Sequence, residues 1–190
     1  MKKYSKYIIF TSIIISLFLS IYIYVANHND IKDNYESSIG GDFKLLNQDN
    51  KIVTNNTYIG KYVMVYFGFS RCKQICPFHL NIMQEALEKI KSDKLMGLFV
   101  TVDPYYDSVE VLKKYHEVYD GRIEMLTGNI DDILSIRNKY RVSVMENKED
   151  PEELNHSVFI YIIAPNGKVI AFKAVEDSND LISFLKSNIR

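Results

Sequence analysis

Cysteine is scarce in this chain. Cys72 and Cys76 are the only two among 190 residues, so no framework of disulfides holds the fold together and all thiol chemistry is confined to one place. Basic patches are missing as well: 23 Lys and Arg stand against 24 Asp and Glu, mixed in sign along the chain for a net charge of -1. Nothing in that balance suggests a nucleic-acid partner. Internal repeats and low-complexity segments are absent, which removes solenoid and fibrous architectures. An Arg-rich, acid-poor amphipathic presequence is also absent, which argues for a bacterial inner membrane over an organelle import route.

One long apolar run is present. Residues Tyr7 to Val25 carry no charge, and about nineteen such positions come close to the roughly 20 that a helix needs to cross a bilayer. Lys2, Lys3 and Lys6 precede the run and Asp30 is the first charge after it. The positive-inside rule therefore leaves residues 1–6 in the cytoplasm and the rest of the chain on the periplasmic side. Tyr22 to Asn27 offers no convincing small-x-small cleavage site, which favours a retained anchor at 7–25 over a cleaved signal peptide. Residues 26–38 are polar with alternating charge and read as a tether. The remaining 39–190 form one domain, long enough to bury about 68–70% of its unfolded surface without a disulfide.

Within that domain, Phe43 to Leu46 and Lys51 to Thr54 predict a hairpin around Gln48-Asp49-Asn50. Tyr62 to Phe67, Leu95 to Val102 and Val158 to Ile163 are apolar on both faces and predict three adjacent buried strands. Leu80, Met83, Leu87 and Ile90 repeat at three and four, giving a helix from about Pro77 to Lys91. Asp107 with Glu110 reads as a capping-box start for a second helix, Asn129 caps a third with core positions Ile130, Ile133 and Leu134, and Ser178 caps the last. Arg122 to Leu126 is a short strand, Glu146 to Glu153 an exposed charged loop, and Pro165-Asn166-Gly167 the turn of a closing hairpin. Strands alternating with helices imply a mixed α/β sheet with helices on both sides.

The cysteines follow a strand and precede a helix. With Pro77 at the first helical position, Cys76 falls at the N-cap and Cys72 in the turn before it. The helix dipole, Arg71 and Lys73 then favour thiolate at both sulfurs, the form that binds metals and attacks disulfides. Three intervening residues let two sulfurs converge on one ion; a disulfide and a pair of inert buried thiols remain open on spacing alone. Of the four histidines, His28 lies in the tether, His116 on a helix, His79 one turn from Cys76, and His156 where the charged loop meets a buried strand. Asp107 and Asp131 read as helix-start residues, and Asp103 either as a turn residue or as one that orients the cysteine loop.

Four motifs in order, YFGFSRCKQICP at 66–77, TVDPYYDSVE at 101–110, LTGN at 126–129 and NHSVFIYIIAPNGK at 155–168, resemble the Sco/SenC family over the whole soluble domain. The resemblance implies a thioredoxin-like fold and copper handling during assembly of the CuA centre of cytochrome c oxidase. It implies that Cys72, Cys76 and His156 are the metal-binding residues and that the partner is the oxidase subunit carrying that centre. Lys73-Gln74 stand where the family usually has Pro-Asp, and Ser70-Arg71 where it has Thr-His, which alters the surface a partner meets. Two thiolates and an imidazole without a carboxylate suit copper or zinc, and three protein donors leave a zinc site unclosed. The rival expectation is a thiol-disulfide oxidoreductase that keeps a partner's copper-binding cysteines reduced with the same pair; a weaker one is a peroxiredoxin-like peroxidase.

Overall fold

The computed structural model describes residues 13–26, 39–146 and 154–189. Residues 13–26 are helical (α1), and among the described residues no helix is long and apolar enough to cross a membrane. The expected span at 7–25 begins outside the described residues, as do residues 1–6 and the tether beyond residue 26.

Chain order then runs β1 (Lys44–Asn47), β2 (Ile52–Thr54), a 3-10 turn (Asn55–Tyr58), β3 (Tyr62–Gly68), α2 (Ile75–Ile90), β4 (Leu95–Thr101), α3 (Val109–His116) and β5 (Ile123–Thr127). It continues with α4 (Ile130–Lys139), β6 (Val144–Glu146), β7 (Leu154–His156), β8 (Phe159–Ile163), β9 (Val169–Ala174) and α5 (Ser178–Asn188). One sheet has the order β2-β1-β5-β4-β3-β8-β9, and β6 pairs with β7 in a separate ribbon.

The three doubly apolar strands do lie side by side. β3 pairs in parallel with β4 from Tyr62↔Leu95 to Gly68↔Thr101, and antiparallel with β8 from Val63↔Ile163 to Tyr66↔Ile160. Side chains alternate across a strand, so β3 buries Val63, Val65 and Phe67 on one face and Met64 and Tyr66 on the other. Leu80, Met83 and Leu87 of α2 are fully buried, as their spacing predicts, and each such side chain contributes about 1.5–3 kcal/mol by leaving water. The last helix buries Leu181, Ile182 and Leu185.

This topology gathers one edge. The loops after β3, β4 and β5 leave the same end of three parallel strands, and β8, antiparallel to β3, begins there. Open α/β sheets bind ligands at that carboxyl end.

Several helix starts differ from expectation. Asp107 is not a cap: Ser108 is, its side chain accepting from the Val111 N–H. Asp177 caps α5 in place of Ser178, which is the first helical residue. Asn129 caps α4 as read, accepting from the Asp132 N–H at 2.9 Å, but Ile136 is buried where Leu134 is exposed. Part of the expected charged loop, at 147–153, lies outside the described residues; its flanks pair as β6 and β7, with Val144 opposite His156.

Candidate metal centre

β3 ends at Gly68, where only a residue without Cβ fits: a methyl group would stand 2.7 Å from the Phe99 ring and 2.8 Å from the Cys76 sulfur. The chain then turns, the Cys72 N–H donating to the Phe69 carbonyl at 3.2 Å, which makes Ser70 and Arg71 the central residues of a β-turn.

Helix α2 begins two residues earlier than Pro77 suggests. Its N-cap is Gln74, so Cys76 and Pro77 are the second and third helical residues. Proline costs nothing there, because the first four N–H groups of a helix have no intrahelical acceptor. The Gln74 side chain makes no capping hydrogen bond. The Cys72 sulfur takes that role, accepting the Cys76 N–H at 3.3 Å.

The two thiols are therefore unequal, contrary to the expectation that the helix end and cationic neighbours favour thiolate at both. Cys72, half-buried, is lowered from the ordinary 9.0 to about 3, first by the hydrogen bond from the Cys76 thiol, then by the His156 ring and by N–H groups of Cys76 and Gln74, against the effect of burial. Cys76, fully buried, is pushed up by giving its proton toward Cys72 and by desolvation. Both are free thiols. Arg71 donates to Asp103 at 2.7 Å and lies over the Tyr106 ring at 4.4 Å.

His156 arrives from β7. Its Nε2 stands 3.5 Å from the Cys76 sulfur, and its Nδ1 lies 2.9 Å from the Ser157 carbonyl. A carbonyl oxygen only accepts, so Nδ1 carries a proton, and Nε2 is the ring nitrogen turned toward the sulfurs. Phe69 and Tyr66 hold the ring edge-on, with centroids at 5.8 and 6.0 Å. Cys72, His156, Leu154 and Val158 line an open cleft of about 300 Å³. Among the described residues, no three His, Cys, Asp or Glu side chains are grouped so that they could hold a metal ion.

The other candidates separate. His28 lies outside the described residues. His79 spends Nδ1 on the Ile75 carbonyl at 2.8 Å and stacks flat on Tyr66 at 4.9 Å, and burial lowers its pKa, keeping it neutral. His116 ends α3. Asp131 is exposed in the first turn of α4.

Two contributors were missed by sequence reasoning. The Tyr66 hydroxyl, kept protonated chiefly by burial, donates to the Cys76 sulfur at 3.8 Å. Asp107 is completely buried and accepts from the Ser70 N–H at 3.0 Å, from the Ser70 hydroxyl and from the Thr101 hydroxyl at 2.6 Å; burial raises its pKa. Only the position of Asp107, within a motif shared with the resembled family, pointed beyond a cap.

Known proteins place this arrangement. The SCO1/SenC family profile matches residues 31–189. An SCO2-like protein of Rickettsia felis is 35% identical over 84% of this chain and 80% of its own length. Protein sco1 of Schizosaccharomyces pombe is 36% identical over 75% of this chain, which spans only 58% of that relative. Among solved structures, Arabidopsis thaliana ScoI with copper bound is 31% identical with a TM-score of 0.75, covering 80% of this chain and 98% of its own. Yeast Sco1 with copper bound is 30% identical with a TM-score of 0.70, covering 80% of this chain and 88% of its own. The mixed sheet flanked by helices is thus the thioredoxin-like arrangement of those proteins, and the chain belongs to the SCO1/SenC family.

Proposed function

We propose that this chain is a membrane-anchored copper chaperone that takes copper as cargo on Cys72, Cys76 and His156. It hands the ion by ligand exchange to the oxidase subunit that carries the CuA centre. The observation that carries this reading is the 3.5 Å between the Cys76 sulfur and the His156 Nε2. Sulfur and imidazole ligands of a tetrahedral ion, at about 2.3 and 2.0–2.1 Å from it, stand about 3.5 Å apart. The hydrogen bond from Nδ1 to Ser157 fixes the ring with Nε2 toward the sulfurs, as outer partners of metal-bound histidines do.

The donor chemistry fits the cargo. Two thiolates and a neutral imidazole select a soft ion, and the relatives solved with copper support copper over zinc. Three protein donors beside an open cleft leave room for an incoming ligand. Lys2, Lys3 and Lys6 ahead of the apolar run 7–25 support an anchor in a bacterial inner membrane, with 39–190 facing the periplasm.

The inequality of the thiols supports a second reading, a thiol-disulfide reductase. The Cys72 thiolate would attack a partner disulfide and release one thiol; Cys76 would then break the mixed bond, leaving two thiols on the partner and a disulfide here. Metal analysis of the full-length chain, purified in mild detergent under reducing conditions, separates the two. Stoichiometric copper is expected for the chaperone. Copper-free protein that reduces a disulfide substrate would make the reductase the better account.

A further inference from the structure

The β-turn that presents Cys72 is held at both of its central residues by one other loop. Ser70 is bound by Asp107, through its N–H and its hydroxyl, and Arg71 by Asp103 at 2.7 Å. Both carboxylates sit on the segment that follows β4. That segment is itself fixed: the Tyr106 and Asp107 N–H groups donate to the Asp103 carbonyl at 3.2 and 2.9 Å, and the Asp103 N–H donates to the Thr101 hydroxyl at 2.9 Å. The Thr101 hydroxyl donates in turn to the Asp107 carboxylate at 2.6 Å, and the Thr127 hydroxyl donates to the Asp107 carbonyl at 2.8 Å. Asp107 is thus tied to β4 and β5 from behind and to the cysteine turn in front.

A helix cap explains none of this. Ser108 already caps α3, and Asp107 is fully buried with its oxygens aimed at Ser70 and Thr101. A buried carboxylate that takes its hydrogen bonds from a surface turn costs desolvation, and returns that cost only by fixing the turn.

We propose that Asp107 is a positioning residue for Cys72: acting through Ser70, it sets the Phe69–Cys72 turn so that the Cys72 sulfur sits at the α2 N-terminus, and Asp103 with Arg71 braces the same turn from its other side. The consequence for metal rests on the chaperone reading; the consequence for the Cys72 thiolate does not.

The test uses full-length chain in mild detergent, as wild type, Asp107→Asn, Ser70→Ala and the double variant. Two quantities are read: the pH profile of Cys72 alkylation by iodoacetamide, and copper(I) retention against a competing chelator. A lysine-specific protease cuts after Lys61, Lys73 and Lys89, so the two cysteines fall on peptides 62–73 and 74–89 and are scored independently. Asp107→Asn is expected to raise the midpoint of the Cys72 profile and to weaken copper retention by about tenfold, in the range seen for outer partners of metal ligands. Ser70→Ala moves both in the same direction by less, and the double variant goes no further than Asp107→Asn. If Asp107→Asn melts earlier yet keeps the wild-type Cys72 profile and copper retention, Asp107 is a scaffold residue only and the proposal fails. If Asp107→Asn does not fold, Ser70→Ala carries the test, and an unchanged Cys72 profile there overturns it. If wild type retains no copper while the profile still shifts, the positioning role stands and the chaperone reading falls.

Discussion

The sulfur of Cys72 occupies the place of a helix cap for Cys76, accepting its backbone N–H at 3.3 Å where Gln74 makes no side-chain bond. The Cys76 thiol donates to the same sulfur, and that bond first, with the backbone contact beside it, makes two cysteines four residues apart into different reagents: a half-buried thiolate at a helix terminus, and a buried thiol that donates to it. The account predicts that iodoacetamide modifies Cys72 well below neutral pH while Cys76 in the same folded chain stays unreacted. Peptide mapping after brief exposure measures this; equal labelling of the two would contradict it.

Linkage fixes the sign of a stability effect. The folded pKa of Cys72 lies below its ordinary value, so its contribution is fully present above 9.0 and is lost as pH falls toward about 3. Cys76 runs the other way: its raised pKa makes a contribution present below the ordinary thiol value and lost as pH rises past it. Reduced wild type should therefore lose stability on acidification from about pH 8 to about pH 4 more steeply than Cys72→Ser. Urea midpoints across that range are the measurement, and parallel curves would count against a folded-state thiolate.

Gly68→Ala is expected to damage fold and site together. The new methyl group meets the Phe99 ring and the Cys76 sulfur at 2.7 and 2.8 Å, and overpacking of this kind costs about 1–3 kcal/mol. Denaturant unfolding should show that loss, and copper retention should drop in the same variant because Cys76 is the atom displaced. A variant of wild-type stability would mean that the end of β3 has slack which the packing does not suggest.

Orientation across the membrane is open to a direct check. A reporter active only outside the cytoplasm, fused after Arg190, should be active, because Lys2, Lys3 and Lys6 precede the uncharged run. Activity of a cytoplasm-only reporter at the same junction would reverse the proposed topology.

Much of the fold was legible because its signals are local and periodic. β3, β4 and β8 read as doubly apolar runs, and the inward positions of α2 and α5 followed from three- and four-residue spacing. What failed was assignment by short pattern where a distant partner decides. Asp107 resembles a cap, but its partner Ser70 is 37 residues away; Pro77 marks a helix start only to within a turn, and the Cys72 sulfur takes the capping role. The β6–β7 ribbon was hidden because each of its strands is three residues long, too short to show a period of two. His156 was one candidate among four on spacing, and the family resemblance singled it out; its contact with Cys76 spans 80 residues, a separation no local pattern encodes.

The measurement that bears most directly on the central claim is copper(I) affinity of His156→Ala beside wild type, with disulfide formation followed in the same samples. With the imidazole nitrogen, 3.5 Å from the Cys76 sulfur, as the proposed third donor, the variant should lose copper retention by about 10–100-fold or more. The Cys72–Cys76 disulfide should still form and exchange with small thiols, because that chemistry needs only sulfur. Wild-type copper affinity in His156→Ala, or lost disulfide exchange with copper binding intact, would contradict the account.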